Sequence, residues 1–562
     1  MEDIEDMIIP SDRPSASTVG LDLCTISKNF KNKVAKTKIY DKASLDEKKP
    51  GEASVPGSQK VCVVTFGCSH NVSDSEFMMG QLAEYGYTLV DDAVGADAVV
   101  INSCTVKNPS EQSALRMVSE YKALGKPVVL SGCVPQGDRN IKGLEDVSIL
   151  GVTQIDRVVE VIENSLNGQV THLLEKKSLP QLDLPKIRRN KFIEVLSVNS
   201  GCLGNCTYCK TKHARGHLGS YHPTELVKRV ARACEEGISE VWMTSEDTGA
   251  YGLDLGTNIV ELLVPLVESL PDHVMLRIGM TNPPYILEHL EAIACVLRHP
   301  RVFGFLHIPV QSGSDTVLER MNREYTAEEF SRIVDYLSEN VPQISFATDI
   351  ICGFPGETDA EHKLTLDLLN RHQIAFVNIS QFYPRPGTIA AKMKQLDTKV
   401  KKARSKEVTE LFNAYRTTQK HLNTVQRVWF SERETNKHNG DICVGHLKDY
   451  TKVVVPFEER LMGKSMMIKV TDCKKWHVEG ELIEGTEEVE KADPNYFDEL
   501  RAKLEAKKKA LEEKSTEAEP EASPSTLTPT NETAHRPISQ NLVLASAILL
   551  IVIAALLRYF GY

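Results

Sequence analysis

Net positive charge is missing from this chain: 66 lysines and arginines stand against 77 aspartates and glutamates, a formal balance of −11. A protein that coats nucleic acid by bulk charge is thereby excluded. A local basic face is not, because a net balance does not fix how charge is distributed over the surface. The start, Met1-Glu2-Asp3-Ile4-Glu5-Asp6, also lacks the basic-then-apolar order of a secretory signal and the arginine-rich, acid-poor character of a mitochondrial leader. The body is therefore expected in a reducing compartment, where clustered cysteines read as metal ligands more readily than as disulfides.

A fourth cysteine is missing from the stretch Gly201-Cys202-Leu203-Gly204-Asn205-Cys206-Thr207-Tyr208-Cys209-Lys210. Three thiolates spaced Cys-x3-Cys-x2-Cys can turn toward one centre, with Gly201 and Gly204 letting the backbone fold tightly around it. Three ligands on a four-iron cube leave one iron open to a substrate, as catalytic zinc sites keep an open position. A zinc loop short of its fourth ligand, or chance spacing among 13 cysteines, are the competing readings.

At 562 residues the chain has room for three or four domains. Residues 1–60 carry no sustained apolar period and read as a disordered tail. In 61–180, three β-branched runs (61–66, 98–102 and 128–131) end at Gly67-Cys68, Ser103-Cys104 and Gly132-Cys133. Helical segments at 74–85 and 110–124 lie between them, closed by Gly86 and Gly125, which predicts a parallel α/β sheet. Cys68, Cys104 and Cys133 then fall just beyond strand carboxyl ends, the edge where open α/β sheets bind ligands. They are candidate ligands of a second metal cluster, with ordinary buried cysteines, as Cys62 inside its strand reads, the alternative.

A polar connection with Pro180, Pro185, Lys186, Arg188, Arg189 and Lys191 reads as a linker. Residues 190–425 follow with six strand candidates (192–198, 240–245, 274–280, 304–310, 345–352, 376–382) and amphipathic helices between them, predicting an incomplete (β/α)6 barrel with its site at the strand carboxyl ends. The Cys202 loop stands at such an end. Other strand ends carry polar runs that suit a polar cofactor or, equally, a turn or cap: Thr244-Ser245-Glu246-Asp247, Gln311-Ser312-Gly313-Ser314, Thr348-Asp349 and Gly353-Phe354-Pro355-Gly356-Glu357.

The cysteine loop opening a six-repeat barrel resembles the radical S-adenosylmethionine (SAM) enzymes. Companion motifs resemble their methylthiotransferase branch: Thr65-Phe66-Gly67-Cys68-Ser69-His70-Asn71 with Asp74-Ser75-Glu76, Asn102-Ser103-Cys104-Thr105-Val106, Gly132-Cys133-Val134-Pro135-Gln136, and His307-Ile308-Pro309-Val310-Gln311-Ser312-Gly313-Ser314 with Met321-Asn322-Arg323. The likeness covers about 61–485. It implies two 4Fe-4S clusters, one on Cys202, Cys206 and Cys209 that binds SAM for radical formation, and one on Cys68, Cys104 and Cys133 that delivers sulfur. Glu246, Gln311 and Ser312 are the candidate SAM contacts. Thr244 to Gly252 and Tyr383-Pro384-Arg385-Pro386-Gly387-Thr388 look most like the branch that converts N6-threonylcarbamoyladenosine at position 37 of tRNA to its 2-methylthio derivative. A family relative acting on a ribosomal-protein aspartate, or a non-enzymatic iron-sulfur carrier, are the alternatives; a carrier normally gives each cluster four protein ligands.

Beyond the barrel, Lys399, Lys401, Lys402, Arg404 and Lys406 begin a helical pattern running toward 425. Residues 426–485 alternate as in a small β-barrel, at the position of the RNA-binding TRAM domain of the resembled family. A charged helix is expected over about 490–515, with disordered linker to 540. The run 542–557 is apolar apart from Ser546. It spans roughly 24 Å, and with its aromatic end and a snorkelling Arg558 it approaches a bilayer core of about 30 Å. A transmembrane tail anchor over 541–560 is therefore expected, in the endoplasmic reticulum by the resemblance, with the catalytic domains in the cytosol. tRNA, SAM, an electron donor and a sulfur source are the implied partners.

Overall fold

The computed structural model describes residues 57–517, except 107, 140 and 437–439. The expected N-terminal tail up to residue 56, the linker from 518 and the apolar run 542–557 lie outside the described residues.

The first domain is a six-stranded sheet in the order Thr88–Leu89, Lys60–Thr65, Ala98–Ser103, Val128–Gly132, Ser148–Leu150, His172–Leu173, parallel throughout. The three expected strands are its centre, where both faces are covered and the sequence is a nearly continuous Val/Ile run. The other three have only two or three residues, too few to show a period. The helix expected from residue 74 begins five residues earlier, spanning Ser69–Tyr85 with Cys68 as its N-cap. Its first turn, Ser-His-Asn-Val-Ser, lacks an apolar period, and hydrogen bonds from Asn71 to neighbouring loops hold it. The next helix is Asn108–Ala123, shifted slightly from the expected 110–124.

Six parallel strands make the middle domain: Ile193–Ser197, Glu240–Thr244, Met275–Arg277, Phe305–His307, Ser345–Cys352 and Phe376–Gln381. They pair as two groups of three. Leu276 joins the groups, donating its N–H to Arg301 O at 2.7 Å and accepting from Phe303 N at 2.9 Å. The result is an open barrel of six β/α repeats, as the sequence predicted. Capping boxes at Thr326/Glu329 and Thr358/Glu361 start two of its outer helices, Ala327–Asn340 and Asp359–His372.

A closed five-stranded barrel follows, with strands Val425–Asn436, Gly440–Leu447, Lys452–Pro456, Ser465–Cys473 and His477–Ile483. It packs on the amino-end mouth of the middle barrel, where Trp429 and Tyr450 join Phe303 and Phe305 in one buried cluster. The opposite mouth is left for the cysteines. The helix expected to reach 425 is Thr398–Ala414, followed by a short 3₁₀ turn, Thr417–His421. Asp498–Glu517 is helical. Among the described residues, no single helix is long and apolar enough to cross a membrane.

The basic connection is a packed seam rather than a solvated linker. Lys186 Nζ lies 3.2 Å from Glu76 Oε2 of the first domain and 3.0 Å from Glu194 Oε1 of the barrel. Arg188 and Arg229 complete the ring around Glu194, at 2.6 and 3.0 Å. All three cations serve one buried carboxylate, so each domain is pinned to the other through charge that water does not screen.

Candidate active site

Three adjacent parallel strands deliver Cys68, Cys104 and Cys133 to one sheet edge. The register pairs Thr65 with Asn102 and Ser103 with Gly132, which puts each cysteine just past its strand at a matching level. The approach is close enough to demand glycine: a Cβ on Gly67, whose φ is +96°, would stand 2.5 Å from Cys104 Sγ. Asn71, one turn after Cys68, organises all three loops. Its Nδ2 donates to Phe66 O at 2.8 Å and Ser103 O at 3.1 Å, and its Oδ1 lies 3.8 Å from Cys133 Sγ.

The second cysteine loop is held from the far side of the barrel. Thr207 donates N–H to Met321 O at 2.9 Å and Oγ1–H to Arg320 O at 2.9 Å, while Asn322 Nδ2 donates to Asn205 O at 3.0 Å. Gly201, with φ +83°, allows the loop to turn where a Cβ would meet His217 O at 2.1 Å. Cys202 Sγ and Cys206 Sγ flank Gly204, each within 3.8 Å of where its Cβ would be. Arg323 Nη1 donates to Cys206 Sγ at 2.9 Å, and its other arm bonds Asn282, which in turn grips Asp247 at 2.6 Å.

Arg215 joins the helices that leave the two loops. It ends the short helix Thr211–Arg215 that leaves the Cys209 loop, and it is buried against the first domain. Nη2 donates to Asn71 Oδ1 at 2.8 Å and Asp74 Oδ2 at 2.7 Å, and Nε lies 3.2 Å from Glu246 Oε1. Glu246 Oε2 accepts from Gly201 N at 2.9 Å. A continuous polar path therefore runs from Cys133 through Asn71, Arg215 and Glu246 to the residue before Cys202. Beside it, Cys133 and Ala214 touch in one apolar cluster.

Burial governs the electrostatics. It pushes the Cys202 and Cys133 thiols up to about 12 and raises Cys206 as well. Thiols this dry are poor nucleophiles at neutral pH, and they ionise when a bound cation compensates the charge. Burial also raises Glu246 to about 7 against the pull of Arg215, and holds His70, 3.8 Å from Glu246, as a neutral imidazole.

Three soft, half-buried thiols on a tight loop are the donor set that iron-sulfur clusters use, so the residues present fit such a group. Among the described residues, no three His, Cys, Asp or Glu side chains close on a single ion.

Of the three candidate SAM contacts, Glu246 is committed to Arg215 and Gly201 at the seam. Gln311 sits at another strand end, fully buried with φ +68°, its main chain bonded to Asp349 O at 2.8 Å and Ile351 N at 3.0 Å. Ser312 is next to it, with its hydroxyl accepting from Ser314 N at 3.2 Å. Sequence patterns gave no role to Arg215 or Asn282, nor to Asn71, Arg323 and Arg385, although the last three stand inside the family-like motifs.

Three family descriptions match in succession: Uncharacterized protein family UPF0004 over residues 60–149, the Radical SAM superfamily over 196–369 and the TRAM domain over 419–483. A Xenopus laevis protein named threonylcarbamoyladenosine tRNA methylthiotransferase is 46% identical over 86% of this chain and 86% of its own. The Homo sapiens protein of the same name is also 46% identical, over 86% of this chain and 83% of its own. A Pyrococcus abyssi protein named as a probable member is 35% identical, matching over 99% of its own length and 75% of this chain. The fold, the three-cysteine loop and the matched domain make this a radical SAM enzyme. Within that class, the chain belongs to the threonylcarbamoyladenosine tRNA methylthiotransferase family.

Proposed function

We propose that this enzyme replaces the hydrogen on C2 of N6-threonylcarbamoyladenosine, at position 37 of tRNA, with a methylthio group. The bridging of the two cysteine-bearing segments by Arg215 carries this reading, because C–H activation and sulfur delivery must reach the same carbon.

Cys202, Cys206 and Cys209 would hold a 4Fe-4S cluster that, with SAM, supplies the one-electron chemistry needed to take hydrogen from an unactivated C–H bond, which side-chain acids and bases cannot do. Cys68, Cys104 and Cys133 would hold a second cluster that supplies the sulfur. The chain's own residues bind and orient. Arg323 donates to Cys206 Sγ and favours its thiolate form. Arg215 neutralises Asp74 and Glu246 behind the two loops. Glu246 acts by fixing the Gly201 turn, while Gln311 and Ser312 are offered as the polar contacts of SAM.

The RNA would lie along the exposed Lys399, Lys402 and Lys406 of the Thr398–Ala414 helix and on the terminal barrel. Arg404 points inward instead, bonded to Glu357 and Asp359 at 2.7 Å each. The modified base, unstacked from its neighbours, would enter the cysteine mouth. An electron donor and a sulfur source are required partners. The run 542–557 would anchor the enzyme in the endoplasmic reticulum membrane with its catalytic domains in the cytosol.

Nucleoside mass spectrometry of tRNA from cells with and without the protein tests this reading. Loss of the 2-methylthio derivative, with accumulation of the unthiolated nucleoside, supports it. Unchanged 2-methylthio levels overturn it.

A further inference from the structure

We propose that Arg385 is a positioning residue that fixes the spacing between the two cysteine loops. Its guanidinium lies between them, donating from Nη1 to the Tyr208 carbonyl at 3.0 Å and from Nη2 to the Val106 carbonyl. Tyr208 stands between Cys206 and Cys209, and Val106 stands two residues beyond Cys104. One side chain thus grips the main chain of both loops.

The turn that carries Arg385 is itself docked on one of them. Ala390 N donates to Thr207 O at 2.9 Å, and Thr388 closes the turn by donating from Oγ1 to Arg385 O at 2.7 Å. With its base fixed on the Cys206 loop, Arg385 reaches across to the Cys104 loop. The bonds differ in kind from those of Arg215, which joins the helices behind the loops. A planar guanidinium can serve two carbonyls in diverging directions, whereas a lysine ammonium in this place reaches one. Neither acceptor is a cysteine side chain. Each trio can hold iron without Arg385, and what depends on Arg385 is the distance between them.

This role rests on the reading that Cys68, Cys104 and Cys133 hold a second cluster. If hydrogen removal is served by one loop and sulfur delivery by the other, a loosened spacing leaves the first intact and starves the second, since small misplacements of reacting groups cost up to about 100-fold.

The test compares Arg385→Lys and Arg385→Ala with the parent, each full-length, reconstituted anaerobically, and supplied with SAM and tRNA bearing N6-threonylcarbamoyladenosine. Both variants are expected to retain the parent's iron and SAM cleavage. The 5′-deoxyadenosine released per methylthiolated nucleoside should rise on the order of tenfold to a hundredfold. The magnetic broadening between the two reduced clusters in electron paramagnetic resonance should weaken. In the cluster-free proteins, amide exchange should quicken in the peptides carrying Val106 and Tyr208. If the alanine variant loses iron, the lysine variant decides. An unchanged ratio and unchanged broadening in an iron-replete variant overturn the role of Arg385 alone. A parent that binds only one cluster overturns the functional reading together with it.

Discussion

Arg215 Nη2 donates to Asn71 Oδ1 across 2.8 Å, and that bond ties the helix leaving the Cys209 loop to the helix leaving Cys68. Both partners are buried. The same guanidinium neutralises Asp74 and Glu246, so it is one of the points through which the two cysteine sites share one structure.

Replacing Arg215 should therefore damage stability more than loss of a surface arginine. Arg215→Met leaves two carboxylates buried without their cation, and removal of one partner of a buried ion pair typically costs about 3–5 kcal/mol. Denaturant unfolding measures this, and adding Asp74→Asn should recover part of the loss. A change below about 0.5 kcal/mol would show that the network carries no weight.

The seam at Glu194 predicts an acid-sensitive interface. Burial alone would raise this carboxyl, but Lys186, Arg229 and Arg188 outweigh it and hold it down near about 2, against an ordinary 4.5. A depressed folded value means the stabilisation is complete above 4.5 and is lost as pH falls toward 2, worth up to about 3 kcal/mol. Glu76, faced by Lys186, is instead pushed up by burial, so the two carboxyls share that cation unequally. In unfolding midpoints taken across this acid range, Glu194→Gln should flatten the pH slope. A slope equal to the parent's would contradict the assignment.

Much of this was legible in sequence, and the division has a physical cause. The six cysteines could be placed because their positions follow from local signals: tight spacing in one loop, and strand ends in the other domain. The short edge strands of the first sheet could not, having too few residues for a period. Arg215 lies 141 residues from Asp74, Lys186 lies 113 from the Ser73 turn it also approaches, and Arg385 lies 279 from Val106. Pairings this distant leave no mark on composition or periodicity. For the same reason the 180–191 segment reads as a linker, although its Lys186 and Arg188 are buried in the seam, and Arg404 reads as part of an RNA-facing stripe, although it is turned inward.

The two kinds of cation on the Thr398–Ala414 helix should separate by experiment. Charge reversal at Lys399, Lys402 and Lys406 should weaken tRNA binding and reduce its salt dependence by roughly one counterion for each phosphate no longer neutralised, with little change in folding. Arg404→Ala should instead lower the unfolding temperature and leave the salt slope of binding alone. Filter binding across a salt series and a thermal melt distinguish them; a parent-like salt slope in the triple variant would remove this helix from the RNA path.

Topology can be read from glycosylation. Asn531-Glu532-Thr533 is an acceptor sequence that precedes the apolar run 542–557. With the catalytic domains in the cytosol it stays unmodified, and an acceptor sequence appended after Tyr562 should be modified. Glycan at Asn531 in microsomes would reverse the orientation.

The most direct measurement of the two-site account is made on Cys104→Ala. Reconstituted anaerobically with SAM and tRNA bearing N6-threonylcarbamoyladenosine, it should hold about half the parent's iron, as expected for one cluster in place of two. It should still release 5′-deoxyadenosine and form no 2-methylthio nucleoside, whereas Cys202→Ala should form neither. Methylthiolation at the parent's level by Cys104→Ala would contradict the account.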